Sequence, residues 1–540
     1  MESTVPFNAV VGDNRLFCDY VEHYERLSPF FRGDPREESS FQAVIREVAE
    51  KDYRRPELCE ILLAQNTRWG AGAPTREKIA ALGDSRCFAV LTGQQLGLFG
   101  GPLYTIYKAV TALRLASSLS ETFSAPSIAL FWIESDDHDF SETASFRAVR
   151  GREVQQIAYE PSPQGGKLPL SLHVLDGQIR KPLEELDAFL PETAFKGALL
   201  EELSRCFSPG KPYVDAFGEW LLSLLGGYGL VLVSPSDRRL KELAAPLFAR
   251  ELATAPQSSR LITGAGERLR SLGYHAQIGS AAGKVNLFHH TPGREAIRSI
   301  DGQFTLERQG ERSPAELEAT LARSPDSFSP GVALRPLMED LLFPTVAYVG
   351  GPGEVAYWAQ VLSLYDMFGI TKPLVFPRMS LTLVEGGIRR VIDKYGLRAG
   401  GLFPTRGESL AEALAPHFPG DLRGKMEEGL GELEAVIRRL EGEAVAADEN
   451  LRPAFRHFSG KVKGLGEALA GKVRDAVTRK DGVLQDHMEK TRASMFPGGF
   501  LQERSLNVVQ FVARYGSGFI DRLFREPAVL PPWNHQIMEL

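Results

Sequence analysis

The chain has 540 residues, 43% of them hydrophobic and 24% charged, with a formal net charge of −7. That length exceeds one hydrophobic core, and the ordinary apolar content describes a soluble multi-domain protein rather than a disordered or fibrous one. The acidic balance, without any Lys/Arg run, speaks against nucleic acid as a partner, and no apolar run reaches the ~20 residues of a membrane span.

The first residues, Met1 to Phe7, have neither a basic nor an apolar leader region, so a cytoplasmic location is expected. Residues 1–85 read as an N-terminal helical segment, with Phe41, Val44, Ile45 and Val48, then Leu58, Ile61 and Leu62, at helical spacing. Residues 86–149 read as the first half of an α/β core. Cys87 to Leu91 and Ser127 to Ile133 have the length of buried strands, and Leu103 to Leu119 between them has that of a crossover helix. Such a βαβ unit implies a parallel sheet. Residues 150–330 read as inserted material. Strand patterns run from Arg150 to Glu160 and from Leu287 to Leu306, Asp301-Gly302 is a hairpin turn signal, Pro161, Pro163, Gly165 and Gly166 punctuate, and a core strand intervenes near 230–237. The α/β pattern returns over 331–400, with a strand at Thr345 to Val349, a loop from Gly350 to Glu354, a helix from Val355 to Phe368 and a strand at Pro373 to Phe376.

A third region, residues 401–496 with its helical pattern from about Leu410, carries Met426, Leu430, Leu433, Ile437 and Leu440 at alternating spacings of four and three, the seam of a coiled coil. A second helix is expected from an N-cap at Asp448, with Val462, Leu465, Leu469 and Val473 on one face. The pair reads as an antiparallel hairpin whose seam pairs with a second copy, the alternative being a helical pair packed on its own core, and residues 497–540 read as a segment returning to the core. The four cysteines, Cys18, Cys59, Cys87 and Cys206, lie far apart and read as reduced thiols, with no tightly bound metal.

Three segments carry candidate chemistry. Thr92, Gly93, Gln94 and Gln95 lead through Gly97, Gly100 and Gly101 into Pro102 at a helix start. Glycines that let backbone N–H groups approach a ligand, next to a helix N-terminus, suit a phosphate or carboxylate; Lys108 reaches such a ligand only if it points back toward the loop. A tight turn needing glycine for geometry alone is the competing reading. Next, Glu134, Asp136, Asp137, His138 and Asp139 follow an apolar strand. At a strand's carboxyl end they can bind an ammonium group or Mg²⁺, or act as a general base, and the alternative is a solvated helix-capping turn. Third, Gly351, Gly353 and Ala356 fit the loose dinucleotide spacing between a strand and a helix, but the expected acid about twenty residues on is missing. An NADP-dependent oxidoreductase with Arg378 at the 2′-phosphate is the alternative this loop raises, and a non-catalytic scaffold sensing a nucleotide or thiol is a third. Gly279 to Lys284 is one residue short of a Walker A loop and has Val285 where Ser or Thr is required.

These segments resemble the bacillithiol biosynthesis cysteine-adding enzyme family. The resemblance rests on Thr92 to Gln95 with Gly100 to Ala109, Phe131 to Glu134 with Asp137 to Asp139, Leu334 to Met338, Pro344 to Glu354, Pro377-Arg378 and Leu501 to Arg504. It covers nearly the whole chain and departs from the family pattern at Glu134 to Asp136. It implies a Rossmann-like core of the class I nucleotidyltransferase and aminoacyl-tRNA synthetase type, with connecting-peptide insertions and an α-helical coiled coil used for homodimerisation. The implied reaction is the last step of bacillithiol synthesis, which ligates L-cysteine to the amine of glucosaminyl-malate with ATP or ADP as the nucleotide and Mg²⁺ allowed. ADP binding in the family is associated with a place away from the central pocket. The acidic cluster would bind the amine, with Asp137 or His138 taking its proton and Glu134 beside them; Arg378 and Lys108 would stabilise negative charge. The other binding positions this implies are Thr92 to Gln95, Gly100, Gly101, Tyr104, Asp139, Arg335, Gly350, Gly351, Gly353, Glu354 and Tyr357.

Overall fold

The computed structural model describes residues 4–162, 168–279, 283–290, 293–397, 403, 422–480, 482–525 and 532–540. The expectations for Pro163, Gly165 and Gly166, for the start of the third region near Leu410, and for part of the Gly279 to Lys284 stretch lie outside the described residues.

The centre is a five-stranded parallel sheet. Its elements are β1 (Phe88–Gln94), α1 (Leu103–Phe123), β2 (Ser127–Ile133), β3 (Val231–Val233), β4 (Thr345–Gly350), α2 (Pro352–Val361) and β5 (Leu374–Pro377). The strand order is β5-β4-β1-β2-β3, every neighbour parallel. Every residue of β2 and β4 is buried, as are all but the last of β1, which is why these strands read as continuous apolar runs; both faces of the sheet are covered. The winding reverses between β1 and β4, leaving a crevice at their carboxyl ends. The α/β core with a parallel sheet is as the sequence predicts.

Two boundaries differ. β1 continues to Gln94, because Thr92, Gly93 and Gln94 keep their register with Phe131, Trp132 and Ile133 of β2; the first three residues of the expected loop are strand. The Gly350 to Glu354 stretch is not a loop throughout. Pro352 occupies the first turn of α2, and the Glu354 carboxylate accepts the Gly351 N–H at 2.8 Å, a cap that starts the helix early. The helix also stops at Val361 and continues as a 3₁₀ turn and a short helix to Phe368. There the Ser363 hydroxyl donates to the Gln360 carbonyl at 2.6 Å, a local bond that competes with the helical ladder.

The N-terminal helices seal the sheet. Asn66, on the helix Arg55–Arg68, donates to the Leu232 carbonyl at 2.8 Å and accepts the Leu232 N–H at 3.0 Å. Its amide thereby stands in for a neighbouring strand at the β3 edge and blocks pairing with another chain. A hairpin, Ser145–Arg150 with Glu153–Ala158, begins five residues before the expected start of the inserted region, which also holds an antiparallel sheet containing Lys284–His290 and Arg294–Ile300. Its Asp301-Gly302 turn has φ of 48° and 79° and joins Ile300 to its partner Gln303, the two-residue turn expected from the sequence. The two termini of the chain meet, since Thr4–Val5 and Leu381–Val384 both pair with His535–Glu539.

Beyond the core, α3 (Leu422–Ala447) and α4 (Arg452–Lys480) pack as a helical hairpin, with Asp448 capping the intervening turn. Of the expected seam only Ile437 is fully buried. Leu433, Leu440, Leu465 and Leu469 are 46%, 47%, 71% and 57% exposed. Among the described residues no helix is long and apolar enough to cross a membrane.

Candidate active site

The crevice between β1 and β4 opens into a cavity of about 470 Å³. One wall is built on the carboxyl end of β1. There Gly93 and Gln94 meet Lys108, which does point back along α1. Its buried ammonium donates to the Gly93 carbonyl at 2.8 Å and the Gln94 amide oxygen at 2.9 Å, and pairs with Glu354 at 2.5 Å. Glu354 also accepts the Tyr348 hydroxyl at 2.7 Å. Burial opposes its charge, but Lys108, the Gly351 N–H and Tyr348 outweigh burial and hold the carboxyl below the usual range. A carboxylate therefore occupies the cap of the glycine loop at α2, where a dinucleotide fold places its pyrophosphate.

The second wall comes from the acidic strand end. Glu134 pairs with Arg335 at 2.7 Å, and the same guanidinium donates to the Tyr357 hydroxyl at 2.6 Å. Burial pushes the Glu134 carboxyl up even against Arg335, and the charges of Asp137 and Asp136 add to the rise. Asp137 behaves oppositely. Burial raises it, but the Gln95 amide, the His138 N–H at 2.7 Å and Arg294 at 3.2 Å together bring it below its usual range. Two neighbouring carboxylates are thus pushed apart in proton affinity, with Glu134 the stronger base of the two. His138 packs beside Asp137 and Arg294, its Nδ1 3.4 Å from each.

Other expected positions lie elsewhere. Thr92 is fully buried and donates to the Val349 carbonyl at 2.8 Å, tying β1 to β4. Gly100 and Gly101 do not line the cavity, because their loop is covered. Trp220 donates its indole N–H to the Phe99 carbonyl at 2.8 Å, and Asn507 donates to the Leu98 carbonyl at 3.0 Å. The first backbone N–H of α1, at Leu103, is likewise taken, by the Leu506 carbonyl at 2.8 Å. Gly97 is required for the turn itself: a Cβ there would sit 2.4 Å from the Gly101 Cα. Asp139 is exposed and accepts the Ser141 hydroxyl beside a short helix. Gly350 contributes a carbonyl to the Arg378 N–H at 2.8 Å. Asp136, at the departure from the family pattern, turns away and pairs with buried Lys241.

Arg378 lines the cavity but is not a free cation. Its guanidinium forks onto Glu503 at 2.6 and 3.1 Å, both side chains buried. Glu503 also accepts the Ser380 hydroxyl at 2.8 Å and the Leu381 N–H at 3.1 Å, so the C-terminal segment is clamped to the end of β5. Tyr104, between α1 and this clamp, carries Arg378 and Arg504 within 5.6 and 5.8 Å of its ring. The inserted sheet supplies Lys284 and Arg294, and the C-terminal segment supplies Arg504. The site reading from the sequence did not include these three. Arg294 carries no local motif, Lys284 stands only at the end of the failed Walker stretch, and Arg504 lies in a motif that marked resemblance without a role.

Among the described residues no three His, Cys, Asp or Glu are grouped to hold a metal ion. The four cysteines are free thiols. Burial pushes Cys18 up to about 11 and Cys87 and Cys206 up to about 12, so none of these three offers a thiolate nucleophile at neutral pH.

Residues 3–379 match the family model for the N-terminal Rossmann-like domain of bacillithiol biosynthesis BshC, and residues 381–540 match that for its C-terminal coiled-coil domain. A relative from Salinibacter ruber named "Putative cysteine ligase BshC" is 36% identical over 94% of this chain and 93% of its own. Relatives of the same name from Chlorobaculum tepidum and Koribacter versatilis are 34% and 30% identical, covering 98% and 99% of this chain and 97% and 99% of theirs. With the two domain models together matching residues 3–379 and 381–540, the chain belongs to the BshC family of bacillithiol biosynthesis.

Proposed function

We propose that this cavity joins the carboxyl group of L-cysteine to the amine of glucosaminyl-malate, with ATP activating the carboxyl as an adenylate or acyl phosphate. The observation that carries the reading is the contrast between Glu134, raised toward the neutral form, and Asp137, held anionic, on one wall of a cavity that six cationic side chains also line. An ammonium group is attracted to that wall, and it must lose a proton before its nitrogen can attack. Glu134 is the acceptor suited to this step, and Asp137, with its lowered proton affinity, orients the amine. The nitrogen then forms the C–N bond as phosphate or AMP leaves, and Arg335, fixed between Glu134 and Tyr357, offsets negative charge developing on the carbonyl oxygen. Mg²⁺ enters with ATP as part of the substrate. The NADP reading is weakened by the Glu354 carboxylate, which would repel a pyrophosphate at the α2 cap.

The assay is purified protein with L-cysteine, glucosaminyl-malate and ATP, followed by mass spectrometry with each component omitted in turn. Amide product that requires all three supports the reading; no product with all three present ends it. Replacing Glu134 by Gln is expected to lower kcat by about 10²–10⁴, the span of general-base contributions. His138→Ala is expected to change it far less. Equal losses from both would return the proton to His138.

We also read the exposed apolar faces of α3 and α4 as the contact of a homodimer, and the four free cysteines support a cytoplasmic location. Leu465→Glu with Leu469→Glu is expected to convert a dimer to a monomer in sedimentation. A wild-type protein that sediments as a monomer removes this part of the proposal.

A further inference from the structure

Six cationic side chains line the cavity, and they fall into two groups. Lys108, Arg294 and Arg378 are each paired with one carboxylate, Glu354, Asp137 and Glu503 respectively, and Arg335 with two, Glu134 and Glu339. Lys284 and Arg504 have no carboxylate partner among the described residues. They come from separate parts of the chain, one opening an inserted strand near its middle and the other in the C-terminal segment.

Both are held at the backbone while their charges stay uncommitted. The Lys284 carbonyl accepts the Ser259 hydroxyl at 2.7 Å. Two residues on, the Asn286 N–H donates to buried Glu251 at 2.7 Å. Arg504 follows Gln502 and Glu503. Gln502 bonds both the N–H and the carbonyl of Leu383, at 2.7 and 2.9 Å, and Glu503 is locked to Arg378. A half-buried ammonium without a counter-charge is destabilising, and burial pulls the Lys284 amine below its usual range. Arg504 is exposed and shares the Tyr104 ring with Arg378, whose own charge is already neutralised, so its guanidinium is free to meet an incoming anion. Two uncompensated cations in one cavity call for a ligand of matching charge.

We propose that Lys284 and Arg504 are the anion-binding residues of this cavity and together hold a ligand bearing two anionic oxygen groups. Two sources share that chemistry: the paired carboxylates of a malyl group, which rests on the ligase reading above, and the phosphates of a nucleotide. The inserted sheet and the C-terminal segment then become substrate-selecting parts of the site rather than supports for it.

The test is calorimetric titration of the full-length protein with L-malate and, separately, with inorganic pyrophosphate, both without added metal. At least one probe is expected to bind, and Lys284→Gln or Arg504→Gln to weaken it by about tenfold each, the effect of one charge-assisted hydrogen bond. Lys284→Arg and Arg504→Lys should retain most of the binding. Malate dependence alone assigns the site to the substrate, pyrophosphate dependence alone assigns it to the nucleotide, and dependence of both fits a site that reads charge. The proposal is overturned if neither probe binds the wild-type protein. It is equally overturned if the double variant, native by circular dichroism and melting, binds as the wild type does. Malate binding that needs both residues in a protein that forms no amide would remove the ligase reading and leave this one standing.

Discussion

Two glycine-rich turns flank the reversal point of the sheet, one after β1 and one after β4, and they do opposite jobs. The first, Gly97 to Gly101, is roofed by Trp220 and Asn507 and gives its backbone groups to the protein. The second, Gly351 to Gly353, lines the cavity, and a Cβ on Gly353 would meet nothing within 4 Å. The first is capped by neutral donors, the second by the Glu354 carboxylate with Lys108 behind it. Glycine in such a turn reports that backbone comes close to something; whether that is ligand or protein depends on what the rest of the chain places over it.

The charged cap is the place to break the comparison hardest. Glu354→Gln keeps the shape but leaves the Lys108 ammonium buried without its counter-charge, and a loss of about 3–5 kcal/mol is expected from urea unfolding, as for other severed buried pairs. Its pH dependence has a definite sign. The folded state holds the Glu354 carboxyl below the usual range, so its contribution is full above the unfolded-state pKa and disappears as pH falls through the folded-state value. The wild-type protein should therefore lose more stability than Glu354→Gln on acidification. If the two stability curves run parallel from neutral to acid pH, Glu354 is not the charged cap described.

Next in size is a paired glycine test. Gly97→Ala forces a methyl group to within 2.4 Å of the Gly101 Cα, and the expected cost is about 1–3 kcal/mol, as for an overpacked core. Gly353→Ala places its methyl in open space inside a helix, so melting should hold or rise by the ~1 kcal/mol that Ala gains over Gly. Because that methyl narrows the cavity, the KM of a substrate should rise severalfold instead. A Gly353→Ala protein that melts early with an unchanged KM would reverse the roles of the two turns.

The sequence made the sheet legible because β1, β2 and β4 are buried on both faces and so are written as unbroken apolar runs. Gln94, Gln95, Glu134 and Asp137 were legible for the complementary reason: polar residues directly after such runs must sit at the carboxyl edge. Gly100 and Gly101 do not line the cavity, and the sequence hides this because a covered turn and an open one are spelled alike and the cover arrives from residues 220 and 507; Thr92 does not line it because the strand runs on past it. The partners that decide charge were hidden in the same way. Arg378 looks like a free cation until Glu503, 125 positions away, is folded against it, and Arg294 reaches Asp137 across 157 positions. The coiled-coil pattern gave the hairpin but could not divide its apolar positions between Ile437, buried inside it, and Leu433, Leu440, Leu465 and Leu469, left exposed.

The smallest expected effect bears most directly on the role of the first turn. Trp220→Phe removes the indole N–H that meets the Phe99 carbonyl and leaves that carbonyl buried without its donor, at a cost of about 1–2 kcal/mol. Phe99 itself sits at φ 52°, a conformation a large residue adopts only when its surroundings impose it, so loosening the roof should let the turn relax. Neither Trp220 nor the turn beneath it lines the cavity, so kcat and KM at a temperature well below melting should match the wild type. A KM raised tenfold with melting unchanged would mean that the turn after β1 touches substrate after all. The neutral roof would then be a lid over a second anion cradle, and the distinction between the two turns would be one of state rather than of structure.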